Sequence, residues 1–499
     1  MAQRSLLPEI DPAVPGERLP VPGVEALQER LDPRILVVAR AVRDAGGRAL
    51  LVGGFVRDLR LGIDSKDVDV EVFGVPSDRL ADILRTVGRV KEVGRSFGVL
   101  RAGDLDVDFS LPRRDTKVAA GHRGFAVEVD PAMDVSEAAR RRDITINALS
   151  LDPLDGTFVD PLGGLDDLRA GLLRACDPAT FGDDPLRAIR VAQFAARFEM
   201  QPDPELLWIC HEQDLSELSA ERIFVEMRKL LMKGVVPSIG LELLERTRLL
   251  RFFPELDALV GVPQDPEWHP EGDVWVHTLM VVDEAARQRL SGHATETSRS
   301  LEIRHEDEAL MFAALCHDLG KATTTFAENG RIRSPGHDVA GEPKVESLLG
   351  RMRAPKELIT RVKALTRHHL APALLYQQNS TDRAYRRLAR RLAASGVSMQ
   401  LLGRVARADH FGRTTPEALA RRFPAGDHFV ARARALEVEA QGPRDAVQGR
   451  HLVARGITPG PEFGRILHEC REHQDETGLS DPEQILDDVL ARDRWSARG

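Results

Sequence analysis

Three aspartates in the first quarter of the chain have the type and spacing for metal chemistry. Asp67 and Asp69 stand two apart in KDVDV (66–70), and Asp108 lies in LDVDF (105–109). Residues two apart on a strand face the same side. Asp67 and Asp69 can thus converge on one point, and Asp108 joins them if its strand lies alongside. Clustered carboxylates repel one another unless cations sit among them, and Mg²⁺ prefers such oxygen ligands. Two metals held this way activate an attacking hydroxyl and stabilise a leaving pyrophosphate. Just upstream, LVGGFVRD (51–58) sets Gly53 and Gly54 after a short apolar run. Backbone N–H groups at such glycines can approach a triphosphate closely, and Arg57 can supply charge to it.

A second set of chemical residues follows in the middle of the chain. It comprises WHPEGDVWVH (268–277), LCHDLGK (315–321), His337, RHH (367–369) and ADHFGR (408–413). A lone histidine in a helix is an ordinary core or surface residue. Here the adjacent His317 and Asp318 are flanked by further His and Asp residues in a helical region. Imidazole and carboxylate ligands suit Mn²⁺, Ni²⁺, Fe or Mg²⁺.

The elements that must hold these residues can be read from periodicity. Arg34 to Ala45 has helical spacing, and Ala49 to Val52 is an apolar run stopping at Gly53, as a buried strand feeding a tight turn would. Val68 and Val70 alternate with acids, as do Leu105, Val107 and Phe109, which predicts two half-buried strands. Residues 78–88 between them read as helix. From about 183 the pattern turns helical, with Leu186, Ile189, Val191, Phe194 and Ala195 at helical spacing. Helical blocks are predicted over 204–213, 217–233, 237–250, 274–290, 306–320, 356–369, 382–394, 399–411 and 426–440. The expected class is α+β: a mixed α/β head, then an all-α body. Residues 1–30 are Pro-rich and read as a loose arm, and 291–305 as a polar surface loop. The expected division is arm 1–30, head 31–175, helical neck 176–260, a second catalytic domain 261–413 and a helical tail 414–499.

Bulk properties agree with a multidomain globular chain. It has 499 residues, 42% hydrophobic and 29% charged, and a prior of about 150 residues per domain implies three or four domains. No apolar run reaches about 18 residues, so no membrane-spanning helix is expected. Met1 to Arg18 lacks the order of a secretory signal. Four scattered cysteines with no CxxC pair fit reduced thiols and a cytoplasmic protein. The net charge of −9 does not exclude RNA as a partner, because binding needs a local positive surface rather than a positive total. Candidate patches are Arg140 to Arg142, Arg383 through Arg391, and Arg404, Arg407 and Arg413. The alternative is that these are solvated helix faces. The acidic excess lies partly between Glu469 and Asp493.

The ordered combination of glycines, Arg-Asp, DxD and a third carboxylate resembles the DNA polymerase β-like nucleotidyltransferases. More narrowly, it resembles the class II CCA-adding enzyme and bacterial poly(A) polymerase family. RRDITINAL (141–149) resembles that family's RRDxTxNAL motif, which implies that Arg142, Asp143 and Asn147 read ribose and phosphates. Asp143 and Asn147, four apart, are expected to share one helix face. DDPLR (183–187) resembles the family's EDxxR element, which implies that Asp184 and Arg187 hydrogen-bond the base edge of incoming CTP or ATP, with Arg190 near phosphate. Arg only donates and ionised Asp only accepts, a pairing that can match cytosine and be rearranged for adenine. Asp183, Gln193 and Ala138 depart from the usual family residues. Arg113 to Asp134, with GHRG (121–124), would be the flexible segment that helps switch from C to A.

The second set resembles the HD phosphohydrolase superfamily. The resemblance implies metal ligands at His277, His317, Asp318 and Asp409. His337 and either His368 or His369 would add a second metal or contact phosphate, and Lys321 would neutralise phosphate charge. Together the resemblances imply addition of CMP and AMP from CTP and ATP to the tRNA 3′ end, with Mg²⁺ in the head and phosphoester hydrolysis in the second domain. Partial CC- or A-adding enzymes, a poly(A) polymerase, or a hydrolase with a nucleotide-binding head stay open. Oligomeric state is not legible.

Overall fold

The computed structural model describes residues 21–65, 67–92, 99–117, 125–292 and 305–492. The chain divides into two compact units, Met1–Leu230 with Ile239–Phe252, and Leu231–Ser238 with Phe253–Gly499. Among the described residues no helix is long and apolar enough to cross a membrane.

The first unit is built on a seven-stranded mixed sheet. Its strands are β1 (Arg48–Val52), β2 (Val68–Phe73), β3 (Val90–Glu92), β4 (Val99–Ala102), β5 (Val107–Ser110), then, past the separate hairpin β6 (Arg113–Lys117) and β7 (Phe125–Val129), β8 (Ser150–Leu151) and β9 (Phe158–Val159). Their order is β3-β4-β5-β2-β1-β8-β9. One face carries Leu51, Val70, Val72, Val107 and Phe109 and buries them against the helices Pro33–Asp44 and Ser77–Arg85. Period-two alternation therefore turns Asp69 and Glu71 to the other face of β2. β2 pairs with β1 antiparallel and with β5 parallel.

Helix Leu186–Phe198 follows the head and buries Ile189, Val191, Ala192 and Ala195. Helices Pro204–His211, Ala220–Lys233 and Pro237–Arg246 come next. They stop two to four residues short of the expected blocks at their C-terminal ends or begin later, the ordinary fraying of boundaries.

Two expectations are corrected in this unit, and a third segment is only partly described. The loose arm already contains a helix, Val21–Arg30, which buries Leu27 in the head core. Its Pro22 and Gly23 read as breakers, but proline is tolerated in a first helical turn. Residues 1–20 of the arm lie outside the described residues. RRDITINAL forms no α-helix: only Thr145–Asn147 make a 3₁₀ turn. Part of the cause is local: Asp143 accepts the Ile144 backbone N–H at 2.9 Å, a side-chain bond of the kind that competes with helix. Tertiary packing adds to it, since Thr145 Oγ1 donates at 2.6 Å to Asp167, 22 residues on. The segment expected to switch specificity contains the antiparallel pair of β6 and β7, and GHRG lies outside the described residues.

The second unit is helical apart from one short antiparallel hairpin, Phe326–Glu328 with Arg331–Arg333. Val274–Gly292, His305–Cys316, His337–Arg351, Lys356–His368 and Met399–Phe411 surround the second set of chemical residues. The helix expected over 306–320 ends at Cys316, and 317–320 form a turn. Gly320 permits it: a Cβ there would lie 2.0 Å from the His337 carbonyl oxygen. The helix His337–Arg351 escapes a periodicity reading because Gly341 and Pro343 interrupt it. Most of the expected loop 291–305 lies outside the described residues.

The C-terminal helices Pro461–Thr477 and Pro482–Leu490 form a small core with Leu452, Ile466, Ile485, Leu486 and Val489. Their acids neutralise the expected Arg383–Arg391 patch. Arg383 and Arg387 pair with Glu472, and Arg390 with Asp475 and Asp445. Arg386 donates to the Asp475 carbonyl at 2.9 Å. Arg404, Arg407 and Arg413 pair with Asp307, Asp427 and Asp409. Apart from Arg391, the arginines of both patches are therefore paired within the chain. Apart from Arg413 with Asp409, four residues apart, these opposite charges are far apart in sequence and meet through the helix packing, which periodicity does not report.

Candidate functional sites in head and helical body

In the head, Asp69 and Asp108 are partners in register across β2 and β5. Parallel neighbours lie about 4.8 Å apart. Asp67 sits two residues before Asp69, just ahead of the strand. Asp67 and Asp69 are exposed and Asp108 half-buried. Partial burial and the Asp108 carboxylate push Asp69 up from its ordinary pKa. Among the described residues the three carboxylates do not close to within 4.8 Å of one another, and Arg101 on β4 holds Asp108 in an ion pair. Oxygen donors on adjacent strands with this repulsion fit a divalent cation.

Gly53 turns the chain from β1 into the short helix Gly54–Arg60 at φ 71°, a region that favours glycine. A Cβ there would meet Arg142 Nη1 at 3.1 Å, so this arginine lies against the turn. Arg142 and Arg141 are held by Glu71, which is 2% exposed, at 3.1 and 2.5 Å. Burial pushes the Glu71 carboxyl up, but the two guanidiniums overcome this and hold it below the usual value. Sequence reasoning missed Glu71. Its signal was the continuation of the alternation Asp67, Asp69, Glu71 on one strand face.

Behind these residues runs a buried polar chain. Asn147 donates to Asp143 at 2.9 Å, and Arg190 donates to Asp143 from Nε at 2.8 Å. Arg57 is 3% exposed, pairs with Asp58, hydrogen-bonds Asn147 and lies over the Phe198 ring at 4.6 Å. The guanidinium expected to face a triphosphate is thus consumed in positioning Asn147. Arg190 likewise faces Asp143. Asp184 pairs with Arg222 at 2.7 Å, and Arg187 donates to the Arg141 carbonyl at 2.7 Å.

The helical body brings its histidines and acids into one buried cluster. His277 comes from Val274–Gly292, His317 and Asp318 from the turn after Cys316, His337 from the first turn of its helix, His369 from the end of Lys356–His368, and Asp409 from Met399–Phe411. His277 Nε2 lies 3.2 Å from Asp409 Oδ1 and 3.4 Å from His317 Nε2. Asp318 stands in the middle: Oδ2 is 3.2 Å from His317 Nε2, and Oδ1 is 3.3 Å from His337 Nε2. His337 and His369 approach through Nε2 at 3.3 Å. His369 therefore joins the cluster, while its neighbour His368 does not.

The ring orientations are set from outside. Nδ1 of His317, His337 and His369 donates to the carbonyls of Ala314, Ser334 and Thr366 at 2.9, 2.7 and 2.7 Å. His277 Nδ1 lies 2.9 Å from Glu271 Oε1. Every Nε2 is thereby aimed inward, the orientation that metal-ligating histidines adopt. Both Asp318 oxygens are buried without a hydrogen bond of good geometry, although Lys321 Nζ is 2.7 Å from one. Such a centre favours positive charge, whether a proton or a metal. Burial opposes charge on His317, yet Asp318 and Asp409 hold it above its usual pKa, while burial drives His369 down to about 4. The donors fit divalent metal in two groups sharing Asp318: His277, His317 and Asp318, then Asp318, His337 and His369.

Two further residues were missed here. Glu271 receives His269 Nδ1 at 2.8 Å as well as facing His277. Their signal was the spacing of WHPEGDVWVH, three chemical side chains within ten residues.

Three family models match the chain. Residues 49–174 match the poly A polymerase head domain, 198–260 the probable RNA and SrmB-binding site of polymerase A, and 274–401 the HD domain. The multifunctional CCA protein of Nitrosomonas eutropha is 37% identical over 351 residues, covering 68% of this chain and 79% of that protein. The multifunctional CCA protein of Nitrosomonas europaea is 35% identical over 399 residues, covering 78% of this chain and 88% of that protein. In fold, the chain is similar to the crystal structure of the Bacillus stearothermophilus CCA-adding enzyme in complex with CTP. That likeness has a TM-score of 0.62 at 20% identity and covers 94% of this chain and 100% of that one.

Proposed function

The chain belongs to the family of the multifunctional CCA proteins, and from that premise we propose that its head adds CMP and AMP from CTP and ATP to the 3′ end of tRNA, releasing pyrophosphate. The observation that carries the reading is the register of Asp69 with Asp108, with Asp67 two residues before Asp69. A pair of Mg²⁺ ions bound there would supply charge for an attacking 3′-hydroxyl and a leaving pyrophosphate. Asp67, Asp69 and Asp108 would hold them, with Arg101 yielding Asp108. Gly53 and Gly54 leave the backbone open to a triphosphate, and Arg142, braced by Glu71, stands beside that turn. Asp143, Asn147, Arg57 and Arg190 keep this wall rigid. Asp184 and Arg187 select the base by offering an acceptor and a donor.

The histidine–aspartate centre is the second active site, a phosphoester hydrolase. A transition metal such as Mn²⁺, Ni²⁺ or Fe, or else Mg²⁺, would provide an acidified water there. His277, His317, Asp318 and Asp409 would hold it, with His337 and His369 completing a second position through Asp318. Lys321 and Arg413 offset phosphate charge around it. The corresponding domain division is head 31–175 with the helix Val21–Arg30 packed onto it, neck 176–260, hydrolase 261–413 and tail 414–499, in a cytoplasmic protein.

The test is direct. Purified protein is incubated with Mg²⁺ and tRNAs that lack CCA, lack only the terminal A, or are complete, with CTP, ATP or both. Stepwise C, C, A addition that then stops supports the reading. Addition of only C or only A means a partial enzyme, unlimited A addition a poly(A) polymerase, and no extension defeats the transferase reading.

A further inference from the structure

We propose that a cavity between the helices His337–Arg351, Lys356–His368 and Asp382–Ala393 binds a free phosphate-type anion. None of its lining residues belongs to either set of candidate metal ligands. The site therefore stands whether or not the histidine–aspartate centre hydrolyses phosphoesters.

The cavity has a volume of about 400 Å³, and Lys356, Lys363, Arg367 and Arg391 line it beside Glu342 and Glu346. Two of these cations are satisfied. Lys363 pairs with Glu346 at 2.5 Å, and Arg367 with Asp338 at 2.7 Å and Glu342 at 3.4 Å. Acids four residues apart share a helix face, so Asp338, Glu342 and Glu346 zip the first helix onto the second. The next position in that series is Gly350, where an added Cβ would meet nothing within 4 Å. The acids stop there. Lys356, two turns before Lys363, has no ion-pair partner among the described residues. Arg391 is the exception on its own helix. Arg383, Arg387 and Arg390 pair with acids of the C-terminal helices, and Arg386 donates to a carbonyl there. Arg391 has no such partner among the described residues and lines the cavity instead. Two unpaired cations from different helices thus line one concave space, and an anion held between them would relieve their repulsion.

Phosphate suits this donor set. A guanidinium fork and an ammonium give charge-assisted hydrogen bonds to its oxygens. The Ser395 hydroxyl and the His368 imidazole line the same cavity and add further donors. The adjacent histidines thus part company: His369 joins the buried cluster, and His368 faces this cavity. Small-ligand pockets span about 300 to 1,000 Å³, so a phosphate or pyrophosphate fits with its nearest waters. A free anion is favoured over a nucleic-acid strand. A strand presents its phosphates in series and needs cations in series. Here the surplus positive charge is confined to one cavity, and the arginines that would continue a track along Asp382–Ala393 are already paired.

The experiment titrates the full-length protein with sodium pyrophosphate by calorimetry, in EDTA so that no metal recruits the anion to either candidate catalytic centre. Binding is expected with a Kd of about 1 mM or tighter. Lys356→Ala and Arg391→Ala should each weaken it about tenfold, and the double variant should abolish it. Arg391→Lys, which keeps the charge and loses the fork, should weaken it less than Arg391→Ala. Both side chains are exposed, so truncating them leaves the core intact. Lys344→Ala serves as the control, because it removes the same charge from His337–Arg351 at a position that does not line the cavity. It should leave binding unchanged. No binding to the unsubstituted protein overturns the proposal. So does binding that Lys356→Ala and Arg391→Ala leave intact, or that Lys344→Ala weakens equally. A tRNA lacking its CCA end, titrated in the same buffer, separates the sources. Affinity for it that is the same in all variants upholds a free-anion site. If Lys356→Ala and Arg391→Ala weaken tRNA as much as pyrophosphate, the cavity belongs to RNA and the proposal is overturned.

Discussion

The Nε2 atoms of His337 and His369 lie 3.3 Å apart, and each ring donates its Nδ1 hydrogen to a backbone carbonyl. Two lone pairs so placed repel unless a cation lies between them. Ligand imidazoles must be deprotonated, so metal binding releases protons and weakens on acidification. Mn²⁺ or Ni²⁺ should raise the unfolding temperature of the protein, with a smaller rise at pH 5.5 than at pH 7.5. Asp318→Asn should abolish both the rise and hydrolysis while sparing nucleotide addition. Calorimetry with and without metal checks this, and a metal-independent melting temperature would count against the centre.

The register of Asp69 with Asp108 makes a matching prediction for the head. Asp67→Ala with Asp69→Ala, or Asp108→Ala alone, should reduce CMP addition by about a thousandfold or more, since metal-borne stabilisation is worth several kcal/mol. Hydrolysis should be unaffected. Loss of both activities in a folded variant would refute two separate sites.

Glu71 offers a pH signature. Its carboxyl is held below its ordinary 4.5 in the folded chain. The stability it contributes is therefore present above the unfolded value and lost as pH falls through the folded one. Glu71→Gln leaves two guanidiniums without their buried partner, which costs about 3 kcal/mol. It should lower stability at pH 7 and flatten the loss of stability below pH 4.5. It should also slow CMP addition, because Arg142 loses its brace. Denaturant melts from pH 3 to 7 read the first effect, and steady-state kinetics the second.

Arg390 holds Asp475, which is 1% exposed, and also Asp445. Arg390→Ala should destabilise the tail by about 3 kcal/mol, as breaking a buried pair does. The affinity for tRNA and its salt slope should not change, since these charges are already spent within the chain. A shallower salt slope in a filter-binding titration would return the arginine patch to the RNA interface.

The types and order of the candidate metal ligands, and the alternation that turns Asp69 away from the buried face of β2, were legible in the sequence alone. These features are local: strand and helix periods are fixed by backbone geometry within a few residues. The mixed head followed by helices was legible for the same reason. Packing decided the rest. It buried Arg57 against Asp58 and Asn147, gave Glu71 to Arg141 and Arg142, and chose His369 over His368 for the cluster. It also turned the acidic tail onto the Arg383–Arg390 face. Charge pairing between residues 70 to 90 positions apart depends on which helix faces meet, and that is settled only when apolar surfaces across the whole unit are buried together.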